Sequence, residues 1–131
     1  MKEVTAAIIK RRGNILIAKR KSMDSQGGKW EFPGGTVEAD ETREECLSRE
    51  MNEEFGIEVS IGPYLGESIY HYGHGSIRLI AFQTFWHGDE LFPKAHDEIR
   101  WVAPEHLQNY DFSPADIPFV DKIRSGKFDI R

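Results

Sequence analysis

Short apolar runs, separated by glycine, proline and charge, divide this chain into its expected elements. Val4–Ile9 is rich in β-forming residues and flanked by charge. Ile15–Ala18 has the same character after the turn signal Arg12-Gly13-Asn14, so the two are expected to form a hairpin. Ser22–Lys29 is polar, contains Gly27-Gly28 and reads as a loop. Trp30-Glu31-Phe32 is a short extended piece stopped by Pro33-Gly34-Gly35. Ile57–Val59, Leu65–Tyr72 and Ile77–Trp86 read as strands, the last two joined through Gly73–Gly75, and Ile99–Val102 reads as another. Pro104 suits the opening of a short helix through Leu107. Pro114–Ile123 reads as a loop followed by a C-terminal helix with Pro118 near its first turn.

The pattern changes period between Arg43 and Phe55. Leu47, Met51 and Phe55 recur every four residues and make one apolar stripe, which predicts a helix. Thr42-x-x-Glu45 is a capping-box pattern at its start, and Gly56 sits where a left-handed C-terminal cap belongs. Strands alternating with helices, together with hairpins, predict an α/β fold with a mixed sheet covered by helices.

A chain of 131 residues is expected to form one domain, spanning 1–131, around one core. Cys46 is its single cysteine, so no internal disulfide can form, in keeping with a reducing cytoplasm. No apolar run approaches the roughly 20 residues of a membrane span, and the start, MKEVTAAIIK, reads as a strand and not a signal peptide. The net charge of −5 is concentrated: residues 38–54 hold eight acids and two bases, leaving the remainder at net +1. Such a chain is poorly suited to duplex nucleic acid, which requires a basic surface. Lys10, Arg11, Arg12, Lys19, Arg20 and Lys21 do cluster; they read either as a solvated hairpin or, for one or two of them, as contacts to a small anion.

The acidic stretch carries the candidate chemistry. On a helix, Glu50, Glu53 and Glu54 fall within about a 100° arc. Like charges so placed repel. The bland reading is a solvated acidic face, which accounts well for Glu38, Asp40, Glu44 and Glu45. Three carboxylates aimed together are better explained by a hard divalent cation, Mg²⁺ or Mn²⁺, since neither thiolates nor paired histidines suggest zinc. Arg49, four residues before Glu53, can pair with a carboxylate and hold it. Gly34 and Gly35 permit close backbone approach, so a carbonyl there could add a neutral oxygen ligand; a plain turn is the alternative.

The segment from Gly35 to Ile57, GTVEADETREECLSREMNEEFGI, resembles the Nudix box of the Nudix hydrolases at every defining position. It covers 23 of 131 residues. The flanks Trp30-Glu31-Phe32-Pro33-Gly34, Trp101 and Ser113-Pro114-Ala115-Asp116-Ile117-Pro118 are similar to the MutT-like branch, which includes enzymes acting on oxidised purine and on cytidine nucleotides. The resemblance implies an α/β/α sandwich and Mg²⁺-dependent attack of water on a nucleoside triphosphate, giving monophosphate and pyrophosphate. It implies Glu50, Glu53, Glu54 and the Gly34 carbonyl as metal ligands, Glu50 as the group that orients or deprotonates water, and Glu41 and Arg49 as supports of the box. Arg20 matches a phosphate contact, or is simply a strand end. Phe32 and Tyr72 pack either on a base or in the core. Asp116 matches a base-reading position occupied by Asn in the oxidised-guanine enzymes, or serves as the cap of the last helix; ionised it only accepts hydrogen bonds, protonated it also donates.

Two departures stand out. Thr36 occupies a position where many relatives carry Lys, and Ala95-His96 replaces a Glu-His pair that supplies a further acidic ligand, with Asp97 or Glu98 as possible substitutes at different spacing. His71, His74, His87 and His106 make no pattern and read as structural or surface residues. Two other activities are weighed: a nucleoside-diphosphate-X hydrolase acting for example on ADP-ribose, whose signature proline is absent at Tyr72-Gly73, and a catalytically silent nucleotide sensor, which would be expected to lack the box carboxylates. The expected partner is a small nucleotide, without duplex nucleic acid or membrane, and the expected assembly is a monomer or homodimer.

Overall fold

The computed structural model describes residues 1–131. The strands are β1 (Lys2–Ile8), β2 (Lys10–Arg11), β3 (Asn14–Arg20), β4 (Trp30–Glu31), β5 (Ser60–Tyr72), β6 (Gly75–Phe85) and β7 (His96–Val102). The helices are α1 (Arg43–Phe55) and α2 (Ile117–Arg124), with 3₁₀ turns at Pro104–Asn109 and Pro114–Asp116.

One sheet has the order β1-β6-β5, with β1 parallel to β6 and β5 antiparallel to it. The other is built on β3, which pairs antiparallel with β7, with β2 at its start and with β4 at its end. The apolar runs are buried on both sides, and alternation along them serves two cores. Ala6, Ile8, Ile15, Ile17, Leu79 and Ala81 pack toward α2 and the 3₁₀ turns. Ala7, Ile9, Leu16, Ala18, Ile80 and Phe82 pack toward the Leu47–Met51–Phe55 stripe of α1. Sheets held between helices on both faces make the α/β/α arrangement.

Helix α1 begins as its sequence predicts. Thr42 accepts from the Glu45 N–H while Glu45 accepts from the Thr42 N–H, and Glu44 and Glu45 place negative charge at the positive end of the helix dipole. Gly56 closes it at φ 68°, donating to Asn52 O at 2.9 Å.

Ile57–Val59 is not a strand. Ile57 is buried in the α1-side core directly after the helix cap, and pairing starts only at Ser60. From there β5 runs well ahead of Leu65, its predicted start, through two register shifts that flank Tyr64. A bulged strand tolerates Gly62 and Pro63, which a regular ladder would exclude. Strand β7 likewise starts at His96, three residues before the expected Ile99, and Trp86 lies just beyond the end of β6.

Candidate active site

The loop before α1 is laid along the free edge of β1. Ala7 N–H donates to Pro33 O at 2.7 Å, Thr5 N–H to Gly35 O at 2.8 Å, and Val37 N–H to Glu3 O at 3.0 Å. The carbonyls on either side of Gly34 are thus used by β1, while the Gly34 carbonyl has no backbone partner and borders the cleft beside α1. A β-carbon on residue 34 would strike the Thr5 carbonyl, and one on residue 35 would strike the Glu50 carboxylate. The two glycines are therefore required by close packing, and not by a turn alone.

Arg49 organises the carboxylates around this loop. It donates to Glu41 at 2.7 and 3.0 Å, to Glu50 at 3.0 Å, to Glu53 at 3.1 Å and to Thr36 O at 3.2 Å. The Glu41 carboxyl is thereby held down at about 2, chiefly by its hydrogen bonds from Arg49 and the Glu38 N–H. Glu41 in turn accepts from the Glu38 N–H at 2.8 Å, closing the loop onto the helix. Cys46 lies beneath, against Thr5 and the Gly35 carbonyl. Burial pushes its thiol up to about 11, which makes it packing material and not a nucleophile.

The cleft has a volume of about 410 Å³ and brings together Gly34, Gly35, Glu50, Glu54, Arg20, Phe32, Tyr72 and Asp116 from five separate parts of the chain. Glu53 does not line it: its side chain is 58% exposed and turned onto Arg49. As the side chains stand, no three acidic, histidine or cysteine groups are gathered closely enough to grip an ion. Yet the chemistry of the cleft fits a divalent cation. Glu54 Oε1 is buried without a hydrogen-bond partner. Burial, then the nearby Glu31 and Glu50, pushes the Glu54 carboxyl up to about 8. Burial also raises Glu50. A cation beside these oxygens and the Gly34 carbonyl would remove the cost of both carboxylates.

The opposite wall is aromatic and polar. Asp116 is buried and its carboxyl accepts from Phe32 N–H at 3.0 Å, so it does not cap α2. Burial, with Glu31 adding, raises it well above the ordinary carboxylate range, which favours a protonated acid able to donate as well as accept. The Phe32 ring packs on Phe112 at 5.2 Å and is largely core. Tyr72 is stacked on His74 at 5.3 Å and its hydroxyl accepts from Ala115 N–H at 3.3 Å.

Glu31 and His96 carry no assigned role in the sequence reading, and His74 is read there as structural or surface. Glu31 accepts from Arg20 at 2.9 Å and pairs with His96 at 2.8 Å, so the histidine of the Ala95-His96 pair is tied to the cleft from 65 residues away. Arg20 also donates to Ser25 O at 2.6 Å, which fixes its guanidinium at the cleft mouth. His74 lines the cleft, although its spacing carries no signal. Thr36 lines it too, where a longer Lys would have reached further.

Comparison with known proteins gives the family. The NUDIX domain description matches residues 4–122. The CTP pyrophosphohydrolase of Escherichia coli (strain K12) is 41% identical over 125 residues, 92% of this chain and 90% of that protein. The 8-oxo-dGTP diphosphatase of the same organism is 29% identical over 124 residues, 93% of this chain and 95% of that one. Among solved structures, the MutT protein of Methanosarcina mazei Go1 superposes with a TM-score of 0.85 at 26% identity, covering 95% of this chain and 94% of that chain. A domain match over nearly the whole chain and a relative of this similarity establish that the protein belongs to the NUDIX family.

Proposed function

We propose that this protein is a nucleoside triphosphate pyrophosphohydrolase, releasing nucleoside monophosphate and pyrophosphate, and that its substrate is a cytidine-type or oxidised-guanine nucleotide. The observation that carries the reading is the cleft itself, which sets Glu50, Glu54 and the Gly34 carbonyl opposite a base-sized wall of Tyr72, Phe32 and Asp116. The similarity to a CTP pyrophosphohydrolase and to an 8-oxo-dGTP diphosphatase supports the same reaction on either base.

The residues that would hold Mg²⁺, or Mn²⁺ in its place, are Glu50, Glu54 and the Gly34 carbonyl, joined by Glu53 once its side chain leaves Arg49 and turns into the cleft. When bound, a divalent cation neutralises charge growing on the phosphate oxygens and makes a nearby water more acidic. Glu50, pinned between Arg49 and Gly35, is positioned to orient the attacking water and take its proton. Glu41 and Arg49 keep loop and helix in register. Arg20, held by Glu31, is placed to meet a phosphate at the mouth. Asp116 reads the base edge while Tyr72 and His74 offer a stacking surface. All the box carboxylates are present, which a silent domain would not need. We further propose that residues 1–131 form one catalytic domain acting on a free nucleotide. No helix is long and apolar enough to cross a membrane.

A panel assay tests this. Purified protein with Mg²⁺ is given 8-oxo-dGTP, CTP, 5-methyl-dCTP, ADP-ribose and a dinucleoside polyphosphate, and kcat/KM is compared. The reading expects a triphosphate of cytidine or oxidised guanine to lead; turnover of ADP-ribose alone, or of nothing, contradicts it.

A further inference from the structure

A second cavity, of about 520 Å³, shares no lining residue with the carboxylate cleft. It lies beside the Arg12-Gly13 turn, between Arg11, Arg12, Asn14, Trp86, Asp89 and Trp101. Its wall is aromatic: the Trp86 and Trp101 indoles are parallel within 12°, their centroids 6.4 Å apart. The Arg11 guanidinium lies over Trp86, 4.6 Å from the ring centroid.

The cations are unusual for this chain. Of its nine arginines, seven sit within ion-pair distance of a carboxylate. Arg11 and Arg12 are the two that do not, and both line this cavity. Arg12 moreover stands at φ 52°, followed by Gly13 at φ 84°, in a two-residue hairpin turn between the paired Arg11 and Asn14. Asn, Asp or Gly adopts that first position far more readily than a long side chain does. Backbone so disfavoured tends to be kept where the side chain is used.

We propose that this cavity is a second ligand site, taking a nucleoside monophosphate with its base against the indole wall and its phosphate on Arg11 and Arg12. An indole face stacks on any base. The guanidinium fork matches phosphate geometry. The volume falls within the roughly 300–1,000 Å³ of small-molecule sites. Asn14 and Asp89 provide partners for sugar hydroxyls or an exocyclic amine, and the charge of Asp89 disfavours a longer phosphate chain. The inference does not depend on the hydrolytic reading of the other cleft.

The test is an NMR titration of the ¹⁵N-labelled protein without divalent metal, using GMP, guanosine and inorganic phosphate in separate arms. GMP is expected to shift the Trp86 and Trp101 indole N–H signals saturably, with a Kd of about 1 mM or tighter, and each fragment alone is expected to bind more weakly. Arg12→Asn suits the turn, so its melting temperature should be unchanged or higher while GMP affinity at these indoles falls roughly tenfold. Indoles that do not respond to GMP at about 10 mM, equal responses in Arg12→Asn, or phosphate binding as tightly as GMP would each overturn the proposal.

Discussion

The carboxylate of Glu50 lies against the α-carbon of Gly35, in the volume that a β-carbon on residue 35 would fill. Arg49 holds that carboxylate from its other side at 3.0 Å. The pose of Glu50 is thus set by a missing side chain as much as by a present one.

Replacing each glycine should therefore damage a different property. Gly35→Ala pushes the Glu50 carboxylate aside, and a displacement of about 1 Å is enough to lower kcat on the order of 10²-fold; melting temperature should barely move. Gly34→Ala instead drives a methyl into the Thr5 backbone, which cannot yield, so stability should fall by about 1–3 kcal/mol. Thermal melts and kinetics of the two variants check the division, and equal loss of both properties in each would contradict it.

Glu41 gives a pH signature. Its folded carboxyl is lowered to about 2, first by hydrogen bonds from Arg49, against an ordinary value of 4.5. A depressed carboxyl stabilises above its unfolded value and loses that contribution as pH falls toward its folded one. The melting-temperature gap between wild type and Glu41→Gln should be constant above about pH 4.5 and close toward pH 2. A gap independent of pH across that window would remove the Arg49 pairing as the source of its stability.

Glu54 behaves in the opposite sense. With its carboxyl raised to about 8 by burial and by Glu31 and Glu50, it opposes folding increasingly as pH rises from 4.5 through 8. Without metal, Glu54→Gln should melt higher than wild type at pH 8.5–9, a window above both values. With Mg²⁺, wild type should gain stability and the variant should not. Differential scanning calorimetry with and without Mg²⁺ decides this; equal metal stabilisation of both proteins would rule out Glu54 as a ligand.

Asp116 is the base-side counterpart. Buried and raised well above the usual range, it is nearly isosteric with Asn and able to donate. Asp116→Asn exchanges one titratable O–H for a fixed NH₂ with two donors, so it should fold normally and shift the kcat/KM ratio toward 8-oxo-dGTP over CTP, roughly tenfold. Unchanged ratios would place Asp116 outside base recognition.

What could be read from the sequence was mostly local. The Thr42–Glu45 box, the Leu47–Met51–Phe55 stripe and Gly56 act within one helix, and all three stand as their spacing implies. The reasons for Gly34 and Gly35 were only half visible, because the Thr5 carbonyl and Glu50 that exclude a side chain come from other elements. Glu53 shares the helix face of Glu50 and Glu54; its pairing with Arg49 is legible in the four-residue spacing, but that this pairing turns it out of the cleft is not. The Arg20–Glu31–His96 contacts join three strands and leave no pattern in any one of them. Strand β5 extends ahead of Leu65 because a bulge carries the chain through Gly62 and Pro63, which a regular ladder would exclude.

The reaction is defined by one bond, that between the α- and β-phosphates of a nucleoside triphosphate. ³¹P NMR of CTP and 8-oxo-dGTP, incubated with the protein and Mg²⁺, reads the products directly. Monophosphate and pyrophosphate are expected in equal amounts, with no orthophosphate, and both signals are expected to be lost in Glu50→Gln. Diphosphate with orthophosphate from either nucleotide, or both triphosphates left intact, would contradict it.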